Sequence, residues 1–170
     1  MILHGNSRCS EGLAHHLLRD DENDHVHVLA VEGFATDDVH EALDEVRAIA
    51  SGTRCQKYLF SLSLSPPKSA DMSEDQFLDA INKAQDRLSL SGQPRVIVLH
   101  EKGDHRDRHA HVVWSRIDAV EMKAIPMPFN KLRMREISRE LFVEHGHDVP
   151  RGLINRDERN PVQPPLYGPL

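Results

Sequence analysis

The chain has 170 residues, which is enough for one domain with a hydrophobic core, alone or followed by a tail. Its composition, 39% hydrophobic and 28% charged residues, is that of an ordinary globular protein. No apolar run is long enough to span a bilayer, the first residues lack a signal peptide's apolar segment, and two cysteines are too few for a disulfide scaffold. We therefore expect a cytoplasmic protein without membrane insertion.

The formal net charge of −6 argues against a protein that coats DNA without specificity, because such proteins are normally basic. The charge is unevenly placed: residues 1–99 carry 9 Lys and Arg against 16 Asp and Glu, whereas residues 100–170 carry 12 against 11. A polyanion should therefore meet the second half. Four basic residues cluster there in one predicted helix: Lys131, Arg133, Arg135 and Arg139. A solvated helix face and a track for DNA phosphates are two interpretations of equal weight.

Strand and helix patterns interleave along the chain. Strands are predicted where apolar residues alternate, and helices where apolar residues recur every three to four positions after a capping residue. In chain order, these elements are a strand at 1–4, a helix at 11–19 after Ser10, a polar turn at 20–24, a strand at 25–32, a helix from Thr36 to about 50, a strand at 57–65, a helix opened by a capping box at 73–76, strands at 95–100 and 109–117, and a helix at 131–145.

The last two predicted strands are joined by residues 101–108, a loop too short for a parallel crossover. The predicted fold is therefore α+β, with a central antiparallel sheet of about five strands and helices packed on it. Residues 149–170 are rich in proline and glycine. We predict a domain at residues 1–148 and a tail or linker at 149–170, which suggests that the native protein continues beyond Leu170.

Four histidines fall within a dozen residues, and two of them, His109 and His111, alternate on one predicted strand. Alternate residues of a strand project from the same face. If the hairpin register places His100 opposite either of them, the three imidazoles converge on one face. If the register instead pairs His100 with Ala110, the His100 side chain points to the other face. Three neutral nitrogen ligands leave a divalent ion with its full positive charge and with coordination positions open for a substrate. We predict this triad as the metal site, with His105 as a substitute ligand and solvated strand-end histidines as the alternative.

The sequence HEKGDHRDRHAHVVWS, residues 100–115, resembles the third motif of conjugative relaxases, the HUH single-strand DNA endonucleases of plasmid mobilisation. The resemblance extends to residues 4–34 and 57–67, so three motifs occur in relaxase order. It implies a palm-like sheet, one divalent ion such as Mg²⁺ or Mn²⁺, and site- and strand-specific nicking and strand transfer at an origin of transfer. It also implies single-stranded or hairpin-containing origin DNA as substrate, with relaxosome accessory and type IV secretion coupling proteins as partners.

The chain departs from the relaxase pattern at the nucleophile. Relaxases of this kind carry a catalytic tyrosine on a helix near the N-terminus, whereas the tyrosines here are Tyr58, in a strand, and Tyr167, among prolines. That helix offers two adjacent histidines instead, and some relaxases resemble this in using histidine. His16 lies three residues after Leu13 on the inward edge of the apolar stripe, whereas His15 faces outwards. We predict His16 as the nucleophile; His15, or an unreactive packed His16, are the alternatives.

Other site residues follow from the resemblance. The second relaxase motif resembles LSLSPP, whose serine is expected to hold DNA beside the nick. Ser63 is the best match, as a catalytic and DNA-binding residue, and Ser61 shares its strand face. Glu101 and Asp104 lie near the acidic positions of the third motif, although their spacing departs from the usual His-x-Asp. Either is a candidate base or partner of a metal ligand, and Glu101 is our choice.

Two other functions remain open. A rolling-circle replication initiator would place its tyrosine after the histidine pair, where Tyr167 is the available residue. A metal-stabilised single-stranded DNA-binding module would need no nucleophile, and the missing tyrosine favours it. A covalent adduct with DNA distinguishes an enzyme from such a module.

Overall fold

The computed structural model describes residues 1–19, 25–68, 70–102 and 107–154. The expected turn at 20–24, the residues Asp104, His105 and Tyr167, and most of the predicted tail lie outside this part of the chain. Within it, the elements in chain order are β1 Ile2–Arg8, α1 Leu13–Leu17, β2 His25–Glu32, α2 Val39–Ala50, β3 Leu59–Ser65, α3 Glu74–Arg87, β4 Arg95–Lys102, β5 Asp107–Ser115, β6 Ile117–Asp118, β7 Lys123–Ala124 and α4 Asn130–Glu144.

The five long strands form one sheet in the order β1-β3-β5-β4-β2, and every neighbouring pair is antiparallel. The predicted α+β fold is therefore confirmed. The short strands β6 and β7 form a separate two-stranded sheet. It was not predicted, because two-residue strands are too short to show an alternating pattern.

Helices cover both faces of the sheet. On one face, which we call the α3/α4 face, these two helices pack against strand residues that include Phe60 and Trp114. On the other, the α1/α2 face, α1 and α2 pack against residues that include Leu59 and Val113. Burial on both sides explains why β4 and β5 contain long apolar runs instead of a clean alternation.

The N-terminal region differs from the prediction in three ways. The first strand extends to Arg8 and pairs with β3 along its whole length. Ser10 does not cap α1, since its hydroxyl forms a 2.7 Å hydrogen bond with that of Tyr58, and the helix begins after Gly12, whose positive φ of 66° suits glycine. Tyr58, predicted to lie in a strand, precedes β3 and packs in the α1/α2 core.

The starts of the next two helices show which capping signals were sufficient. Asp38, not Thr36, caps α2, because its side chain accepts a 3.0 Å hydrogen bond from the Glu41 backbone N–H. The predicted capping box of α3 is confirmed: Ser73 and Gln76 each accept a hydrogen bond from the other's backbone N–H.

Candidate active site

The β4–β5 hairpin brings three histidines together. His100 is paired with His109, which is one of the two registers that allow the cluster, and His111 lies two residues further along β5. All three project from the α1/α2 face. Their ring centroids are 4.7 to 5.1 Å apart, and one nitrogen of each ring lies within 4.8 Å of the others. The predicted convergence of the three rings is therefore observed.

The donor set of this cluster fits one divalent ion. Imidazole nitrogens bind such ions at about 2.1 Å, so two ligand nitrogens of one ion are at most about 4 Å apart. The observed spacing, within 4.8 Å, is close to that limit. Three neutral ligands also leave coordination positions for substrate oxygens.

The orientation of His100 is fixed by α1. This ring is buried, with 3% of the residue exposed, and its Nε2 lies 2.7 Å from the Leu17 carbonyl oxygen. A carbonyl only accepts hydrogen bonds, so Nε2 carries the proton and donates it, and Nδ1 keeps the free lone pair. The Leu17 carbonyl lies in the last turn of α1, where carbonyls lack partners within the helix. It therefore holds a candidate metal ligand in one tautomer.

Electrostatics keep the other two rings neutral. Burial is the main cause that lowers the pKa of His109, and electrostatic interactions with His100 and Lys102 add to the shift. Burial is the main cause that lowers the pKa of His111 to about 3, and electrostatic interactions with His100, His109 and His16 add to the shift. Metal ligation requires the neutral form of histidine. At pH 7 protons therefore do not compete with a metal for these two rings.

We expect the metal-free protein to lose stability as the pH falls below about 6.5, the ordinary pKa of histidine. In that range the unfolded chain takes up a proton on His111 that the folded protein does not bind until about pH 3, so protonation favours unfolding. Urea unfolding in EDTA, at about pH 7.5 and about pH 5.5, measures the loss. His111→Gln should show a smaller loss, and an equal loss in the variant would contradict the assignment to His111.

Helix α1 places His16 beside the cluster. Its ring centroid lies 6.4 Å from that of His111, with the rings at 79° to each other. Leu13 and Leu17 are buried beneath it, whereas His16 itself is exposed, so it is not a core-packing residue. His15 is exposed as well but does not line the cavity that His16 and His111 share. The structure thus brings His16, and not His15, to the three-histidine cluster.

A polar cavity of about 360 Å³, which we call the β1 cavity, opens between α1 and strands β1, β3 and β5. Ser61 and Ser63, predicted from the second motif, line it together with His16 and His111. Ser63 lies directly opposite His111 in the sheet. The cavity also contains three polar residues of β1 that the sequence analysis missed: His4, Asn6 and Arg8. Their alternation over residues 4–8 was the available signal.

A second cavity, of about 950 Å³, is lined by His109 together with Pro66, Pro67 and Arg108. His111 lines the β1 cavity and His109 lines this second one, so the cluster borders two open spaces.

Comparison with known families agrees with this geometry. The family model of the relaxase, MobA/VirD2-like, nuclease domain matches residues 14–147. The chain belongs to the relaxase family. Relaxases nick DNA in mobilisation, bind origin-of-transfer DNA and use a divalent metal ion, and the match includes the helix of His16 and the three clustered histidines. No curated protein and no solved structure matched the chain.

The relaxase site does not include Glu101. Neighbouring residues of a strand point to opposite faces, so Glu101, next to His100 in β4, projects from the α3/α4 face. Its carboxylate accepts a 2.6 Å hydrogen bond from Arg108 on the paired strand. The expected role of Glu101 as base or ligand partner is therefore not supported. Asp107, two residues before His109 in β5, is a described carboxylate on the same strand face as the histidines, and Asp104 lies outside the described residues.

The basic helix α4 covers the face of the sheet opposite the three histidines. α4 packs on α3 and on the α3/α4 face through Met134, Ile137 and Leu141, across the sheet from the histidines. The four expected DNA-binding residues Lys131, Arg133, Arg135 and Arg139 are carried on this helix. Its surface also carries glutamates that pair with Lys83 and Arg87. Lys131 and Arg135 nevertheless line a cavity together with His4 and Gly5 of β1, so the phosphate-track interpretation of α4 stays a prediction.

Neither tyrosine is favoured as a nucleophile. Tyr58 is 8% exposed, and its hydroxyl is bonded to Ser10. Tyr58 precedes Leu59, which pairs with Ser115. Ser115 lies four residues from His111 along β5, which is a distance of about 13 Å. Tyr167 lies outside the described residues, so no geometry supports the rolling-circle alternative. Within the described ranges, no helix is both long and apolar enough to cross a membrane.

Proposed function

We propose that this relaxase domain performs a metal-dependent, site- and strand-specific transesterification at an origin of transfer, with His16 as the nucleophile. The observation that carries the proposal is the position of His16, exposed and 6.4 Å from the ring of His111. A helix histidine so close to three converging histidines can attack a phosphate held at the cluster.

The three histidines of the cluster would hold the ion. When bound, it polarises a non-bridging phosphate oxygen and offsets the charge that develops on it. The chain's own contribution is to keep the ligands neutral and oriented: the Leu17 carbonyl holds the proton of His100 on Nε2, and burial disfavours protonation of His111. Because Leu17 and His16 are consecutive residues of α1, the same helix orients a ligand and presents the nucleophile.

The step itself needs little from the protein besides orientation. A neutral imidazole has a free lone pair, so His16 forms a nitrogen–phosphorus bond without a strong base and releases the proton of its other nitrogen. The bond between phosphorus and the 3′ oxygen breaks, and that oxygen takes up a proton from water. Ser61 and Ser63 line the same cavity and would donate hydroxyl hydrogen bonds to the DNA backbone, for which Ser63 gives up its long, 3.4 Å hydrogen bond to the His4 carbonyl. A free 3′ hydroxyl can later reverse the step.

A covalent adduct is the direct test. The domain is incubated with labelled single-stranded oligonucleotides that tile candidate origins of transfer, with Mg²⁺ or Mn²⁺ or with EDTA, and analysed under denaturing conditions. We expect a metal-dependent band that carries both protein and the 5′ phosphoryl end, together with a free 3′ hydroxyl product. Specific DNA binding without cleavage would favour the binding module, and cleavage without an adduct would exclude a covalent mechanism.

A further inference from the structure

The edge strand β1 lines the candidate active site with a row of polar side chains. His4, Asn6 and Arg8 alternate along it, so they share one face of the sheet, and all three are exposed and line the β1 cavity. His4 lies opposite Ser63, which lies opposite His111, so the row begins beside the histidine cluster. Alternate strand residues are about 6.6 Å apart. That spacing is comparable with the separation of successive phosphates in an extended DNA strand.

The cavity is suited to an anion. Its described lining contains one guanidinium, several imidazoles, two hydroxyls and an amide, but no carboxylate. This is notable because residues 1–99, which supply most of the lining, carry 16 acidic residues against 9 basic ones. Carboxylates are therefore absent from the described lining although the surrounding sequence is rich in them, and a bound phosphodiester would meet no like charge there.

Arg8 is the group in this cavity that can anchor such an anion. It is exposed, and no hydrogen bond or ion pair engages its side chain among the described residues. By contrast, other arginines of the domain are engaged: Arg95 pairs with Glu32, and Arg108 with Glu101. A guanidinium binds phosphate through two parallel hydrogen bonds, which a lysine cannot reproduce.

We propose that the β1 row is the binding track for the DNA backbone next to the scissile phosphate, with Arg8 as its charged anchor and Asn6 and Ser61 as neutral donors. Asn6 and Ser61 are directly opposed in the sheet and line the same cavity. The track lies on the same face of the sheet as the three histidines, whereas α4 covers the other face. The inference rests on the proposed function for where the scissile phosphate lies, and it assigns to β1 the binding of phosphodiesters that flank that position.

The test is DNA binding without chemistry. Anisotropy of a labelled oligothymidylate, measured in EDTA over a range of salt concentrations, compares the wild type with Arg8→Gln, Arg8→Lys and Arg133→Gln. For Arg8→Gln we expect about tenfold weaker binding, because a charge-assisted contact to one phosphate is lost. The slope of log K against log salt should fall by about 0.7, the value for one phosphate of a single strand. Arg8→Lys should keep the slope and recover only part of the affinity. Arg133→Gln removes the same charge from the side of α4 that contacts Arg87 and should bind as the wild type does.

A neutral methylphosphonate, placed in turn at each linkage around the nick once that site is mapped, should remove the effect of Arg8→Gln at the phosphate that Arg8 binds. Equal losses for Arg8→Gln and Arg133→Gln would show diffuse attraction only and overturn the proposal. Wild-type affinity in Arg8→Gln, with adduct formation intact, would overturn the track and leave the function standing. If the wild type does not bind single-stranded DNA, both fail. Arg8 has no partner to lose among the described residues, so its variants should fold, which a thermal melt verifies.

Discussion

Replacing His16 with alanine is expected to abolish both strand cleavage and the covalent adduct while leaving metal binding unchanged. The ring lies 6.4 Å from that of His111 and is exposed, so its loss removes the nucleophile without opening a hole in the core. Cleavage should fall by at least about a hundredfold, because loss of a positioned nucleophile costs at least that much. A single-turnover assay on the labelled origin strand measures both products.

Two variants serve as controls for this prediction. His15→Ala changes the adjacent histidine, which does not line the β1 cavity, and Tyr58→Phe removes the hydroxyl that bonds to Ser10. Both should cleave as the wild type does. The wild-type adduct should also be released by brief acid treatment, because phosphoramidates are acid-labile whereas phosphotyrosine survives. If His16→Ala still forms the adduct and Tyr58→Phe does not, Tyr58 is the nucleophile.

The second large effect concerns the three-histidine cluster. Adding Mn²⁺ at a hundred times its dissociation constant should stabilise the folded protein by about 2.7 kcal/mol, because the ion binds the folded state. For a domain of this size that corresponds to a rise in Tm of roughly 5 to 10 °C. His109→Ala and His111→Ala should each remove most of this rise, since two imidazoles remain of three. Differential scanning fluorimetry with and without EDTA measures it.

The matched control for the metal prediction is His40→Ala, which removes an exposed histidine from α2, outside the metal-binding cluster. Its metal-induced rise in Tm should equal that of the wild type. An unchanged rise in both His109→Ala and His111→Ala would show that the ion binds elsewhere. Because His111, with the pKa that burial lowers to about 3, is also expected to contribute to the loss of stability in acid, its variant links the metal and the pH measurements.

Some features of this protein were determined by local sequence and were predicted correctly. His109 and His111 share a face because strand residues alternate, whatever the strand packs against. α3 begins at Glu74 because the Ser73–Gln76 capping box lies within one turn. The short connection after β4 required an antiparallel pair, which reduced the possible registers of His100 to a few. Each of these inferences depends on residues close together in sequence.

The same local logic, applied more carefully, would have excluded Glu101. It was treated as a loop residue, whereas β4 continues to Lys102 and pairs there with Asp107. Once Glu101 is in the strand, its position next to His100 places it on the opposite face. The polar ends of β4 and β5 concealed this, because Glu, Lys, Asp and Arg lack the apolar alternation by which strands are recognised.

Other features were decided only by tertiary packing. An amphipathic pattern shows that α4 has a buried side, but not which face of a sheet it covers, so its charges could not be assigned to the site from sequence. The strand β1 was underestimated because an edge strand next to an open cavity keeps polar residues that resemble a loop. Nothing in the sequence alone places His16 beside His111, ninety-five positions later, or the Leu17 carbonyl on the ring of His100. Those contacts exist because α1 packs on the same face of the sheet as the histidines, and that choice is made by the burial of Leu13 and Leu17 in a core formed by distant segments.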